Sequence, residues 1–169
     1  MAAATFSGLA SAGLLPYIQR TGTGPTDHMS TIAEITDNFE LLDEWDDRYR
    51  YVIELGRGLA PFPESERTDE NKVRGCVSQV WLATRWPAGP GGAPVLEMQG
   101  DSDAHIVRGL VAILMTLFAG RTAEEVIGTD ARAVFGELGL SDHLTSQRSN
   151  GLNSMVQRIR ADAEAALVE

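Results

Sequence analysis

The chain has 169 residues, of which 43% are hydrophobic and 22% are charged, and its formal net charge is −10. This length suffices for one domain with a substantial core, and the composition is that of an ordinary globular protein. The acidic balance argues against nucleic acid or an anionic membrane surface as the main partner, because both attract basic patches.

The N-terminal part differs in composition from the rest of the chain. Residues 1–26 contain one arginine and no acidic residue. They lack the basic start of a secretory signal and the arginines of a mitochondrial transit peptide. We interpret residues 1–28 as an extension outside the core, with the domain at 29–169 beginning near Met29. A plastid transit peptide is the alternative interpretation.

Two consecutive helices are predicted next, at about 31–41 and 44–56, from apolar residues at helical spacing. Asp43 stands where an N-cap of the second helix is expected, and the glycines of "GRG" at 56–58 are expected to end it. The following "LAPFPESERTDEN" at 59–71 is a polar, proline-bearing loop.

A β region is predicted between residues 71 and 100. "NKVR" at 71–74 is a short strand, Gly75 and Cys76 form a bend, and "VSQVWLATRW" at 77–86 is rich in branched and aromatic residues. "PAGPGGAP" at 87–94 has the composition of a hairpin loop, and "VLEMQG" at 95–100 is the returning strand. The sequence therefore predicts three antiparallel strands.

The remainder of the chain is predicted to be helical. A helix capped at Asp101/Ser102, with Asp103 in its first turn, ends at Gly120; its longest apolar run, "LVAILMTLFA", is shorter than a bilayer span. Short helices at 122–127 and 130–140 and a long one at 146–169 follow. Strands in one block with helices on either side indicate an α+β fold.

The chain has one cysteine, Cys76, which excludes an internal disulfide and a thiolate-rich metal site made by this chain alone. The histidines at positions 28, 105 and 143 are far apart and lack metal-ligand spacing, so no metal site is predicted. A lone free thiol fits a reducing compartment, which favours a cytoplasmic location.

Cys76 has two opposed interpretations. A lone cysteine is commonly a small buried apolar residue, as it would be in a binding module with a structural cysteine. However, Gly75 gives the backbone freedom beside it, and the cations Lys72 and Arg74 favour a thiolate. A thiol-dependent enzyme acting on a small molecule is a further alternative, and it requires a histidine within hydrogen-bond reach of Cys76.

Three blocks occur in a specific order: "GCVSQVWL" from Gly75, "SDAHIVRGL" from Ser102 and "RSNGLNSM" from Arg148. In this combination the chain resembles the SufE family, the sulfur-acceptor proteins of iron–sulfur cluster assembly. The resemblance runs from about Ile32 to Ala165. It implies a three-stranded antiparallel sheet packed with helices, similar to the fold of the iron–sulfur scaffold proteins.

The resemblance also implies a function. The family's sulfur-accepting cysteine falls on Cys76, its basic residue near that loop on Arg148, and its acidic residue in the "SDA" block on Asp103. The expected partners are a SufS-like cysteine desulfurase, which uses pyridoxal phosphate, and a SufBCD-like scaffold complex. The chain itself is expected to bind no cofactor. Gly75, Lys72 and Arg74 are expected to support the cysteine.

Overall fold

The computed structural model describes residues 30–168, so the predicted extension at 1–28 and the boundary at Met29 lie outside the described residues. Apart from one turn of 3-10 helix at Glu64–Glu66, the elements are two helices, two strands and five further helices: α1 (Ile32–Leu41), α2 (Trp45–Arg57), β1 (Val80–Arg85), β2 (Glu97–Ser102), α3 (His105–Phe118), α4 (Ala123–Gly128), α5 (Ala131–Glu137), α6 (Leu140–His143) and α7 (Ser146–Ala166). The fold class is α+β, as the sequence predicts.

The first two helices begin for different reasons. Thr31 and Glu34 form a reciprocal capping box at the start of α1, in which each side chain accepts a hydrogen bond from the other's backbone N–H. The N-cap of α2 is Glu44, one residue beyond the predicted Asp43, and it makes no side-chain cap. Asp46 and Asp47 in the first turn supply the favourable negative charge instead.

The sheet has two antiparallel strands, with Val80 opposite Ser102 and Arg85 opposite Glu97. The prediction of a third strand at 71–74 is therefore wrong. That segment makes only an isolated bridge between Lys72 and Trp81. It pairs no further because the chain bends at Gly75, where φ is +88°.

The third helix starts later than predicted. Asp101 and Ser102 belong to β2, and the N-cap of α3 is Ala104, which makes no side-chain cap. The predicted Asp101/Ser102 cap is thus wrong, and Asp103 precedes the helix rather than lying in its first turn. The reason is that residues 101 and 102 still pair with Trp81 and Val80 across the sheet.

Helix α3 is the centre of the core, since eleven of its 14 residues are buried. It packs against α2 on one side and the sheet on the other. A helix that is apolar around most of its circumference is stable only when it is surrounded in this way. Within residues 30–168, no helix combines the length and the apolar character needed to cross a membrane.

Candidate functional site

Cys76 lies in a six-residue segment, 74–79, which we call the cysteine loop. Its base is closed by the Val73 N–H, which donates a 2.9 Å hydrogen bond to the Val80 carbonyl. Gly75 has φ +88°, a backbone conformation that glycine adopts without steric cost and that other residues rarely adopt. The turn at Gly75 therefore fixes the direction in which the chain enters Cys76.

The cysteine loop covers one side of a cavity of about 230 Å³. The opposite wall is formed by α7 through Arg148, Gly151, Leu152 and Met155, and α3 contributes Val107. The Cys76 side chain is half-buried at this wall. The thiol is thus placed between the loop and α7, with space beside it.

The Cys76 thiol is held in its protonated form in this arrangement. Its Sγ donates a 3.5 Å hydrogen bond to the Gly151 carbonyl of α7. Burial raises the pKa of the Cys76 thiol above its usual value. The neighbouring cations expected to favour the thiolate do not outweigh this burial, so the thiol is a weak nucleophile while it stays inside the cavity.

Arg148 is the cation that the structure brings to the cavity. It lies in the first turn of α7, and its guanidinium carbon is 5.8 Å from the centroid of the Tyr49 ring of α2. Over residues 30–168, the ion pairs include none made by Arg148. Its positive charge is therefore available to an anion that enters the cavity.

Lys72 and Arg74 are close to Cys76 in sequence but face elsewhere. The Lys72 Nζ donates a 3.3 Å hydrogen bond to the Gln79 side chain, and Arg74 pairs with Asp69 at 3.3 Å. The Arg74 side chain is 72% exposed, and neither cation lines the cavity. They contribute to the charge of the surrounding surface rather than to the thiol's immediate contacts.

Asp103 clamps the end of the cysteine loop. Its Oδ1 accepts a 2.9 Å hydrogen bond from the Gln79 N–H, and its own N–H donates to the Gln79 carbonyl at 3.2 Å. The two bonds join the last residue of the loop to the segment that leads into α3. The carboxylate thus acts on the loop backbone and not as a helix cap.

The histidine that a thiol-dependent enzyme requires is not found at the thiol within the described part of the chain. Neither His105 nor His143 lines the cavity, and the His143 ring stacks on Trp45 with centroids 4.0 Å apart. Residues 30–168 also contain no group of three or more His, Cys, Asp or Glu side chains placed to hold a metal ion. His28 lies outside the described residues.

Comparison with known proteins identifies the family. The family model "SufE: Fe-S metabolism associated domain" matches residues 33–163. The chain belongs to the SufE family. An "uncharacterized SufE-like protein" of Rhizobium meliloti is 55% identical over 139 residues, which cover 82% of this chain and 99% of the relative.

Two further comparisons bear on the family and on the fold, respectively. A second SufE-like protein, from Rhizobium etli, is 53% identical over 136 residues, or 80% of this chain and 91% of the relative. The solution structure of a hypothetical protein from Thermus thermophilus matches with a TM-score of 0.65, covering 82% of this chain and 96% of that one. Because its sequence identity is only 18%, it supports the fold alone.

Two features of this SufE-family site were not predicted from the sequence. One is Gly151, whose carbonyl contacts the thiol; its sequence signal is a glycine within the apolar stripe of a long helix. The other is buried Asp101, which pairs with Arg67 at 2.6 Å and Arg108 at 3.2 Å. This cluster holds the end of β2, directly before Asp103. Because Arg67 and Asp101 are 34 residues apart in sequence, no local sequence pattern indicates their pairing.

Proposed function

We propose that this SufE-family protein is a sulfur acceptor, in which Cys76 takes sulfane sulfur from a cysteine desulfurase and passes it to an iron–sulfur cluster assembly scaffold. The observation that carries the proposal is the lone thiol beside a cavity that also contains the free charge of Arg148. Membership of a family associated with Fe–S metabolism supports the same chemistry.

The reaction is an exchange at sulfur. The Cys76 thiolate attacks the outer sulfur of the desulfurase's cysteine persulfide, a new S–S bond forms on Cys76, and the S–S bond on the desulfurase breaks. The desulfurase cysteine leaves as a thiolate and takes up the proton that Cys76 has released to solvent. One S–S bond replaces another, so no oxidant or reductant is needed.

The cavity suits the product of this step. A persulfide extends the side chain by one sulfur atom. The cavity of about 230 Å³ beside Cys76 is many times the roughly 10–15 Å³ that one water molecule needs, so it has room for this atom. The outer sulfur of a deprotonated persulfide carries the negative charge, which the guanidinium of Arg148 stabilises. Val107 and Met155 supply apolar parts of the cavity lining.

The proposed partners are those that membership of the SufE family implies. The donor is a SufS-like desulfurase, whose pyridoxal phosphate releases sulfur from free cysteine, and the recipient is a SufBCD-like scaffold in the cytoplasm. Sulfur–sulfur contact with another protein requires the half-buried Cys76 to move outward. The backbone hydrogen bonds that hold the cysteine loop lie at its base and at Gln79. The part of the loop around Cys76 can therefore swing outward once the contact between Cys76 and Gly151 breaks.

The direct test is the intact mass of the protein after incubation with a purified desulfurase and free cysteine. We expect a gain equal to one sulfur atom, removed by a thiol reductant. Since Cys76 is the only cysteine, a reductant-sensitive gain is located without further mapping. No gain with an active desulfurase, together with a Cys76 that resists alkylation, would favour a binding module with a structural cysteine.

Arg148→Ala is expected to slow sulfur acceptance more than it destabilises the protein. Arg148 is the cation that lines the cavity beside Cys76, so without its guanidinium we expect the pKa of Cys76 to rise further and its alkylation at neutral pH to slow by roughly three- to tenfold. The measurement is the pH dependence of alkylation by iodoacetamide. Arg148→Lys should restore part of the rate.

The matched control for Arg148 is Arg74→Ala. Arg74 is nearer to Cys76 in sequence, but it is exposed and paired with Asp69. We expect a much smaller change in the alkylation rate for this variant. Equal effects of the two substitutions would show that only the general surface charge matters and would contradict a specific role for Arg148.

Asp103→Arg is expected to release the cysteine loop. The substitution removes the acceptor of the 2.9 Å bond from the Gln79 N–H, and losing such a bond increases the open population by roughly two- to tenfold. The readout is the rate at which a bulky maleimide modifies Cys76 under native conditions. Asp103→Asn is the control, because its side-chain oxygen can still accept the bond. If Asn and Arg accelerate modification equally, the hydrogen bond is not the restraint.

A further inference from the structure

Gly151 occupies a position in α7 where glycine is unfavourable on local grounds. It is buried and lies six residues into a helix of 21 residues. Glycine inside a helix is destabilising relative to alanine, because its backbone loses more conformational freedom on folding. Its φ is not in the left-handed region that favours glycine. A contact with another part of the molecule must therefore explain the missing side chain.

That contact is with the reactive cysteine. A Cβ placed on Gly151 would lie 3.3 Å from Cys76 Sγ, 3.8 Å from its Cβ and 3.9 Å from its Cα. Outside the helix's own backbone, these are its three nearest atoms, and all three belong to Cys76. The distance to Sγ is tighter than nine in ten real Cβ contacts. The space that a side chain would take at position 151 is thus used by the sulfur.

The carbonyl of the same residue contacts the same atom. Cys76 Sγ donates its 3.5 Å hydrogen bond to the Gly151 oxygen, and the 230 Å³ cavity opens beside both residues. A hydrogen bond from the neutral thiol favours the protonated form, as burial does. Gly151 therefore provides both the space and the acceptor that keep the thiol inside the cavity.

We infer that Gly151 is the positioning residue of the sulfur site: its missing side chain lets the Cys76 sulfur lie against α7, where the thiol and the persulfide derived from it are protected. Protection of the persulfide rests on the proposed function, whereas the position of the Cys76 sulfur against α7 does not. Met155 and Leu152 line the same wall, and the atoms nearest to a side chain at position 151 are those of Cys76.

The inference predicts an unusual result for Gly151→Ala. Alanine favours the helix, yet its methyl group pushes the sulfur away from α7 toward solvent. The cysteine loop can yield, since it is held mainly at its base and at Gln79. The displaced thiol is less buried and loses its bond to the carbonyl, so the pKa of Cys76 falls toward the ordinary value.

The experiment measures the rate of iodoacetamide alkylation of Cys76 against pH in the full chain. We expect Gly151→Ala to react roughly three- to tenfold faster at neutral pH, with the midpoint of the profile shifted to lower pH. The matched control is Gly136→Ala in α5, where an added Cβ meets nothing within 4 Å. Its profile should be that of the parent, and coincident profiles for all three proteins would overturn the inference.

A double variant separates positioning from a general packing defect. If Gly151→Ala lowers the melting temperature, removal of the sulfur in Gly151→Ala/Cys76→Ala should restore it to that of Cys76→Ala alone, because Sγ is the closest atom to the new methyl. A loss that persists in the double variant would show that position 151 contacts something other than the sulfur, which contradicts the inference.

A third measurement concerns the persulfide. After loading by a desulfurase, Gly151→Ala should lose its extra sulfur to a small reductant several times faster than the parent or Gly136→Ala. Equal lifetimes in loaded proteins would contradict protection by this wall. If no protein gains sulfur, the proposed function fails, while the alkylation profiles still decide the position of the thiol.

Discussion

Cys76→Ser is expected to end sulfur acceptance while leaving the fold intact. A serine hydroxyl cannot form a persulfide, and the chain has no other cysteine that could replace it. The structural cost is small, because Cys76 is only half-buried and a hydroxyl can donate to the same Gly151 carbonyl. We expect the free energy of unfolding to change by about 1 kcal/mol or less.

The measurement is desulfurase turnover with and without each protein, followed as sulfide released in the presence of a thiol reductant. The parent should stimulate turnover, and Cys76→Ser should not. Circular dichroism and the melting temperature establish that the variant is folded. Stimulation by Cys76→Ser equal to that of the parent would mean that the protein activates its partner without carrying sulfur, and the proposed acceptor role would be wrong.

The sequence predicts most of the helices because their signals are local. The apolar spacing that begins after Thr31 predicts α1, and the glycines at 56–58 predict the end of α2. The prediction of a third strand is wrong for a non-local reason. Residues 71–74 are predicted to form a short strand, but the bend at Gly75 leaves too little straight backbone for more than one bridge.

The start of α3 shows the same limit. Asp101 and Ser102 are good N-cap residues, and local preference favours a helix from there. Pairing with β1 instead keeps both residues in β2, and the Asp101 carboxylate is held by Arg67 and Arg108. Tertiary contacts thus override a valid capping signal. Asp103, instead of lying in the first turn of α3, accepts a hydrogen bond from the Gln79 N–H.

For the site, sequence patterns identify candidate residues but not the directions in which their side chains point. The position of Cys76 after Gly75 and the match of Arg148 to a family position are visible in the sequence, and the structure places both residues at one cavity. Lys72 and Arg74 are much closer to Cys76 in sequence than Arg148 is, yet their side chains turn to Gln79 and Asp69. Only the structure distinguishes these cases, because sequence distance does not specify the direction of a side chain.

The fold that supports the cavity depends on a close helix crossing, which leads to the largest stability effect we expect. A Cβ on Gly109 of α3 would overlap the carbonyl oxygen of Val52 in α2 and lie 2.6 Å from its Cγ1. A Cβ on Gly56 of α2 would lie 2.6 Å from the Gly109 nitrogen. Because these contacts involve backbone, neither helix can make room by a change of rotamer.

Gly109→Ala is therefore expected to destabilise the protein although alanine favours helices. Forcing the backbones apart costs about 3 kcal/mol, and the better helix propensity returns about 1 kcal/mol, which leaves a net loss of about 2 kcal/mol. The melting temperature should fall by roughly 5–10 °C. Chemical denaturation at 25 °C, with Gly136→Ala as the control for helix propensity, measures the difference directly.

Two further results would test the reason for this loss. Val52→Ala removes the Cγ1 contact but leaves the carbonyl oxygen in place, so Gly109→Ala should remain destabilising in that background. Separation of α2 from α3 should also disturb the sulfur site, because α3 supplies Val107 to the cavity and α2 supplies the Tyr49 ring beneath Arg148. Cys76 alkylation should then accelerate in Gly109→Ala. A variant as stable as Gly136→Ala would show that the two helices can separate without cost, and the close crossing would not be what holds α2 against the core.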